Sequence, residues 1–503
     1  MDVDSDKESC PSNKQLSTTI EHEIEVKYDP TRSTLEVDKH AGKAGQNLSS
    51  YREHFRAIFA IAGPIMLCEF FQNTLPLIDI VFVARLGKDE LASAALATVW
   101  FNLWNTTMIG VLTAIDTLLA QSFGADEYKA FAMWTGTSLF IVFVLTFFIA
   151  GLTALCEPFL VLLGQDPELS RAAGNFSFRL IPGLFPYFAF KVLVKYLQTQ
   201  NILLPGVMIG LIANLLNALW NWLLIYKLDM GLNGAPWATT LTRYFEFILI
   251  ALYLYARKDT LLAPTWPSFS FNHGLDRRNL RSFSKLAIPG ALSLSAEAWS
   301  FEVTTILAGL IGTYDLDAHA ITLSICTFIF LSFPFAIGIA SCIRIGQLIG
   351  EGDFDNAKRS CVLSFFLAVV VQLVLIAILL PLHSIIGRAF SDNDNISNLV
   401  SSLILLSGLF MMGDAVHVTV CGALRGLGHH KKVLFLNFAG FWILGVPIGA
   451  LLAFVGDIGV RGLWWGMSIG IYASSIVGII LLKKTDWHLA SEKAKLRMSF
   501  VIT

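Results

Sequence analysis

The chain has 503 residues, 55% of them apolar and 15% charged, with a mean hydropathy of +0.62. A soluble domain carries roughly 25% charged residues, so this composition, with 38 Phe and 12 Trp, excludes a soluble globular protein and marks a polytopic membrane protein. The net charge of −2 provides no basic field for nucleic acid.

Residues 1–54 are polar and mixed in charge, and are expected to form a disordered tail, not a signal peptide. A membrane crossing takes about 20 apolar residues. Runs between charged or Gly/Pro breaks predict twelve crossings near 55–82, 90–120, 130–155, 172–200, 205–227, 233–256, 283–311, 317–348, 357–381, 397–426, 431–455 and 460–482. The fold class is therefore an all-α polytopic membrane protein. Its halves match at a near-constant offset. Pro64 pairs with Pro289, Leu86-Gly87 with Ile311-Gly312 and Gly183-Leu-Phe185 with Gly408-Leu-Phe410, each 225 apart. An ordered series of this kind predicts two six-helix repeats, 55–256 and 283–483. Between them, 257–282 reads as a polar connector, and 484–503 as a second tail. An even number of spans per repeat implies an axis along the membrane normal, with a site near mid-depth.

Basic residues gather in the loops after even-numbered spans, among them Lys129, Arg257, Lys258, Lys358, Arg359, Lys431 and Lys432. The odd loops hold acids such as Asp89, Glu157, Asp166, Asp315 and Asp457. This bias predicts cytoplasmic termini. Asn395-Ile-Ser397 is then a glycosylation sequon on the outer side, and Asn47-Leu-Ser49 one in the inner tail. The seven cysteines form no metal-ligand spacing and read as packing residues. No cofactor or metal is expected.

The acids inside crossings carry the functional argument. An ionised carboxylate at the bilayer centre costs about 2.5–3.5 kcal/mol on insertion scales, so such residues usually face a bundle interior or wet cavity. Glu297 and Glu302 lie in span 7, Asp414 in span 10 and Glu69 in span 1. From helix rise, Glu297 and Asp414 fall roughly 20 and 18 Å from the inner ends of their spans, at similar depth. Glu302 is about 140° round the helix from Glu297, so the two do not share a groove without a kink, for which Pro289 is a candidate. His417, one turn after Asp414, reads first as a packing histidine. In span 1, Glu69, Gln72 and Asn73 form one polar stripe, with Asp79 nearer the outer end. Asp116 reads as a cap or loop anchor. Lys191 and Lys195 would repel unless one pairs or snorkels, and Arg344 and Arg425 read as snorkelling residues. Trp299, Phe301, Trp100 and Phe71 are candidate cavity walls for flat organic cations, although packing or lipid contact is the ordinary role of any one of them.

The chain resembles the multidrug and toxic compound extrusion family, especially its eukaryotic branch, over about 55–483. The resemblance rests on Asp116-Thr-Leu-Leu-Ala-Gln-Ser-Phe-Gly124, Gly164-Gln-Asp-Pro-Glu-Leu-Ser170, the stretch from Val194 to Pro205 and Ala213-Asn-Leu-Leu-Asn-Ala218. In the second half it rests on Ala287-Ile-Pro289, the Glu297/Glu302 pair, Arg344-Ile-Gly346, Gly352-Asp353 and Leu424-Arg-Gly-Leu-Gly428. It implies two six-helix lobes around a cavity, and export of organic cations or other amphiphiles in exchange for protons or sodium, with the proton-coupled type the better match. Carried over, Glu297 and Glu302 match the paired span-7 glutamates, and Asp414 an acid of span 10 that is often Glu. Glu69 matches a position that is often Gln in animal relatives. The expected partners are a small organic substrate, a proton or sodium ion and the bilayer, with a monomer as the expected state. The alternative class is a lipid-linked headgroup flippase, which should show a basic cavity. A channel is disfavoured by the two-lobe repeat with Pro and Gly inside its helices. An ATP-driven pump lacks a GxxxxGK[ST] motif, and an intramembrane enzyme lacks HExxH, GxGD or a Ser/His constellation.

Overall fold

Buried backbone must be paired in a bilayer, and helices achieve this within one segment. A computed structural model of the protein describes residues 51–266, 276–390 and 393–499. Among these residues all regular structure is helical. The expected N-terminal tail lies almost wholly outside them, as do Cys10, Asn47 and the middle of the connector.

The first six long helices are α1 (Tyr51–Val83), α2 (Lys88–Gly124), α3 (Tyr128–Ala154), α4 (Pro167–Gln198), α5 (Leu204–Lys227) and α6 (Gly234–Arg257). The second six are α7 (Arg277–Ile311), α8 (Thr313–Glu351), α9 (Phe354–Phe390), α10 (Asp394–Gly426), α11 (His430–Val455) and α12 (Val460–Lys483). Ten of the twelve are apolar enough to cross a membrane by composition alone. The exceptions, α6 and α7, have the length but carry Arg243 with Glu246, and Glu297 with Glu302. The two spans with weak hydropathy are thus spans with deep charge.

Local chemistry sets the ends. Asp166 accepts from the Glu168 and Leu169 amides, with Pro167 at the first helical position of α4. Asp276 caps α7, Asp353 caps α9 and Asn393 caps α10. Gly352 stops α8 in the left-handed region, at φ 85°. Within α8, Phe333 breaks the helix before Pro334.

Within the first six helices, α5 packs on α1 and α6, and α4 on α2 and α6; within the second, α10 packs on α8 and α12, and α11 on α7. The lobes meet where α2 runs along α7 and α8, and α1 along α8 and α9. Gly110 permits the closest approach: a Cβ there would lie 2.6 Å from the Gly290 carbonyl and from Ala291 Cα. Thr107 and Ser295 hydroxyls meet at 2.8 Å across this seam. Towards the end with the even-numbered loops the seam is stitched further. Thr117 donates to the Arg425 carbonyl (2.8 Å), Gln121 to the Gly426 carbonyl (2.8 Å) and Gln347 to the Thr199 carbonyl (3.0 Å).

The expected tail at 484–503 contains regular structure. Trp487–Ser499 forms a further helix, α13, with Trp487, Ala490, Ser491 and Ala494 buried. Their spacing is i, i+3, i+4, i+7, so one stripe docks while Lys and Glu face out.

Candidate functional site

Glu297 sits midway along α7, partly buried, beside α11. Asn437 of α11 donates to its Oε2 at 2.9 Å and to the Ser293 carbonyl at 3.2 Å. The Asn437 side-chain oxygen meets His417 Nε2 of α10 at 2.9 Å. Cys421, one turn further, contacts the same histidine nitrogen at 3.5 Å and the Asn437 oxygen at 3.7 Å. Asp414 is buried one turn before His417, within electrostatic reach of Glu297, His417 and Cys421. Three helices thus converge here: one amide joins Glu297 to His417, and Asp414 lies within electrostatic reach of both.

The backbone helps. Directly after Asn437, α11 widens into a π-helical stretch, Phe438–Gly445. Such stretches put an extra residue in the turn and re-aim neighbouring side chains. Trp442 in that stretch donates to the Ala296 carbonyl at 2.7 Å and pins α11 against α7.

The other expected residues are placed as follows. Glu302 is exposed on α7, away from the Glu297 cluster. Trp299 is also exposed, at 41%. Phe301 packs edge-on to Phe410 and against Phe441, inside the second-lobe core. Trp100 is buried against Phe159 and Trp104, and its indole donates to the Leu152 carbonyl at 3.0 Å. Phe301 and Trp100 therefore pack within their own lobes. Phe71 is half-buried beside Phe70, which touches Phe328 and Phe333 of the other lobe.

The first lobe pairs two of its deep acids with lysines. Lys191 reaches Glu69 at 3.3 Å. Lys195 clamps both oxygens of Asp116 at 2.7 and 2.6 Å. The expected repulsion between the two lysines is resolved by separate carboxylate partners, and Asp116 is a buried ion-pair residue, not a cap or loop anchor. Gln72 donates to Glu246, whose other oxygen has no hydrogen-bond partner among the described residues. Arg243, one turn before Glu246 on α6, lies between Phe101 and Tyr187, 4.8 and 4.7 Å from their ring centres. Asp79 accepts from Asn221 at 2.7 Å and from Thr239. It is held by neutral donors in a pocket shared with Asn217.

Asn437, Glu246 and Arg243 escape a search for acids in obvious crossings. Asn437 is a single amide in an apolar run, and its partner Glu297 is 140 residues away. An acid and a base one turn apart in α6 are a sequence signal for the other two.

The MatE family model matches residues 64–223 and 289–451, together more than half of the chain. Its two matches begin 225 residues apart, at Pro64 and Pro289. Multidrug and toxin extrusion protein 2 of Mus musculus is 30% identical, aligned over 97% of this chain and 84% of the relative. Multidrug and toxin extrusion protein 1 of Homo sapiens is 30% identical over 93% of this chain and 81% of the relative. Among solved structures, the eukaryotic MATE transporter AtDTX14 is similar with a TM-score of 0.84 at 25% identity. That match covers 89% of this chain and 99% of the transporter.

Proposed function

The chain belongs to the MatE family of multidrug and toxin extrusion transporters, and from that premise we propose that it is a proton-coupled antiporter exporting organic cations or cationic amphiphiles. The observation that carries this reading is the second-lobe cluster: Glu297 and Asp414 lie close together, and among the described residues neither has an ion-pair partner. Desolvation disfavours an unpaired ionised carboxylate. Such a group gains from any cation that reaches it, whether a proton or the ammonium of a substrate. Two ligands competing for one charge give obligatory exchange without ATP. Asn437 can serve both forms: its amide donates to an ionised Glu297, and the His417 contact holds the amide in place.

The cycle on this reading is short. A proton enters from the outer side onto the carboxylate cluster and releases the substrate cation there. The lobes rearrange about the α2–α7 seam, the proton leaves inward, and the next substrate binds. The inner stitching by Thr117, Gln121 and Gln347 supports an inward-closed arrangement as one end state. Lysine-rich even loops support cytoplasmic termini. A glycan at Asn47 in the full-length protein would overturn that orientation. The acid excess in the second lobe speaks against a flippase for a polyanionic headgroup.

The experiment is exchange in proteoliposomes with imposed gradients. A proton gradient should drive uptake of a fluorescent organic cation without sodium. Uptake driven by sodium alone, indifferent to collapse of the pH gradient, would reassign the coupling ion. The neutral-donor nest around Asp79 would then be the place to look for sodium ligands.

A further inference from the structure

At the end with the even loops, the start of α9, the end of α12 and the start of α13 come together. Between the three lies a cavity of about 610 Å³. Its walls are apolar, with Cys361, Val362, Phe365, Ile479, Leu482 and Trp487. Val362 is 64% exposed, so the cavity opens sideways where the bilayer would lie. Two exposed cations also line it. Lys358 has only a 4.0 Å contact with solvent-exposed Asp355, and Lys483 has no ion pair among the described residues. Asp486 lines it too, but its carboxylate accepts from the Leu489 amide at 3.1 Å and caps α13. The fitting occupant is long and apolar, with an anionic group at the end that meets the lysines.

The α13 wall also does a second thing. Ser491 donates to the Ile349 carbonyl of α8 at 2.9 Å. Arg497 donates to the Gln121 side-chain oxygen of α2 at 3.1 Å, and the Gln121 amide donates on to Gly426. Burial pulls Arg497 down to about 10, which leaves it a cation at neutral pH. Gly428, at φ 77°, makes room for it: a Cβ there would lie 2.6 Å from both terminal guanidinium nitrogens. One helix therefore ties α2 of the first lobe to α8 and the α10 end of the second.

We propose that the cavity binds a phospholipid with an anionic headgroup, its phosphate on Lys358 and Lys483 and an acyl chain along Val362, Phe365 and Ile479, and that the bound lipid holds α13 in place as a latch on the closed seam. The leaflet supplying the lipid follows from the proposed orientation, but retention of lipid by purified protein does not depend on it, so the two fail separately.

The test uses full-length protein in nanodiscs of phosphatidylcholine with or without phosphatidylglycerol, read by native mass spectrometry. Wild type should retain phosphatidylglycerol over phosphatidylcholine, and K358A/K483A should lose about tenfold of that preference. Millimolar inorganic phosphate should not compete. Spin labels at Glu127 and Asp355, flanking the seam, report closure. Phosphatidylglycerol should narrow the distance distribution in wild type, and not in K358A/K483A. R497A should retain the lipid yet lose the narrowing, which separates the pocket from the latch. Equal retention by the double variant, equal binding of both lipids, or displacement by inorganic phosphate would overturn the lipid site. Retention without narrowing in wild type would overturn the latch.

Discussion

In the first lobe, the lysines of α4 reach back to Glu69 and Asp116, while Glu246 lies in the field of Lys191 and Arg243. In the second lobe, among the described residues, Glu297, Glu302 and Asp414 have no ion pair, and Glu297 lies in the field of His417 and Arg425. The repeat makes this a comparison of equivalent places. At the 225-residue offset, Gln72 stands where the second lobe has Glu297, and Ala189 where it has Asp414. Conversely, Val416 and Val420 stand where the first lobe has Lys191 and Lys195. One scaffold has been loaded in two ways. A buried acid clamped by lysine is a fixed strut, because breaking it leaves an uncompensated charge. On the proposed reading an acid held by an amide without an ion pair, as Glu297 is by Asn437, can take a cation and give it up, and Glu246, held by Gln72, is the like case in the first lobe.

The comparison breaks most visibly at Lys195. Lys195→Met should strand Asp116 and cost about 3–5 kcal/mol of stability. Thermal unfolding in detergent should show this, with most of the loss recovered in Lys195→Met/Asp116→Asn. No loss would mean that Asp116 is not a strut. Next comes the seam. Gly110→Val forces α2 and α7 apart and should cost about 1–3 kcal/mol, with exchange reduced even in the folded fraction. Full exchange would show that this close approach is not needed for the cycle. A smaller effect belongs to the partly exposed pair. Lys191→Gln should cost about 1–2 kcal/mol and leave proton-driven exchange in place. Loss of coupling in a stable Lys191→Gln protein would move coupling chemistry into the first lobe. The smallest is Trp100→Phe, which removes one indole hydrogen bond and should cost about 1 kcal/mol, with no change in apparent substrate affinity. A shifted affinity would return Trp100 to the cavity wall.

Much of the scaffold was legible because hydrophobic length and repeat are properties of contiguous sequence. Pro64 and Pro289 mark the repeat, and the family matches begin at those residues. The C-terminal helix was missed because its docked face uses Ala490, Ser491 and Ala494, whose small side chains leave little apolar signal among Lys and Glu. In the candidate site, Glu297 and Asp414 stood out as charges in apolar runs, and helix rise placed them at one depth. Asn437 could not stand out, since an amide draws no attention until the fold brings α11 against α7. The aromatic residues divided for the same reason. Trp100, Phe301 and Trp299 look alike in sequence, yet the first two turn into their lobes and the third faces out. Rotation of a helix about its axis is fixed by packing partners, which one sequence does not display.

The central claim is that Glu297 exchanges cations and does not merely join α7 to α11. Glu297→Gln keeps size and hydrogen bonding, including the Asn437 contact, and removes the titratable charge. The decisive measurement is proton-driven exchange by this variant in proteoliposomes, run beside its melting temperature. The account predicts a wild-type melt and exchange lowered by about 100-fold, the loss expected when a charged contact worth about 3 kcal/mol is removed. A wild-type melt with wild-type exchange and pH dependence would contradict it.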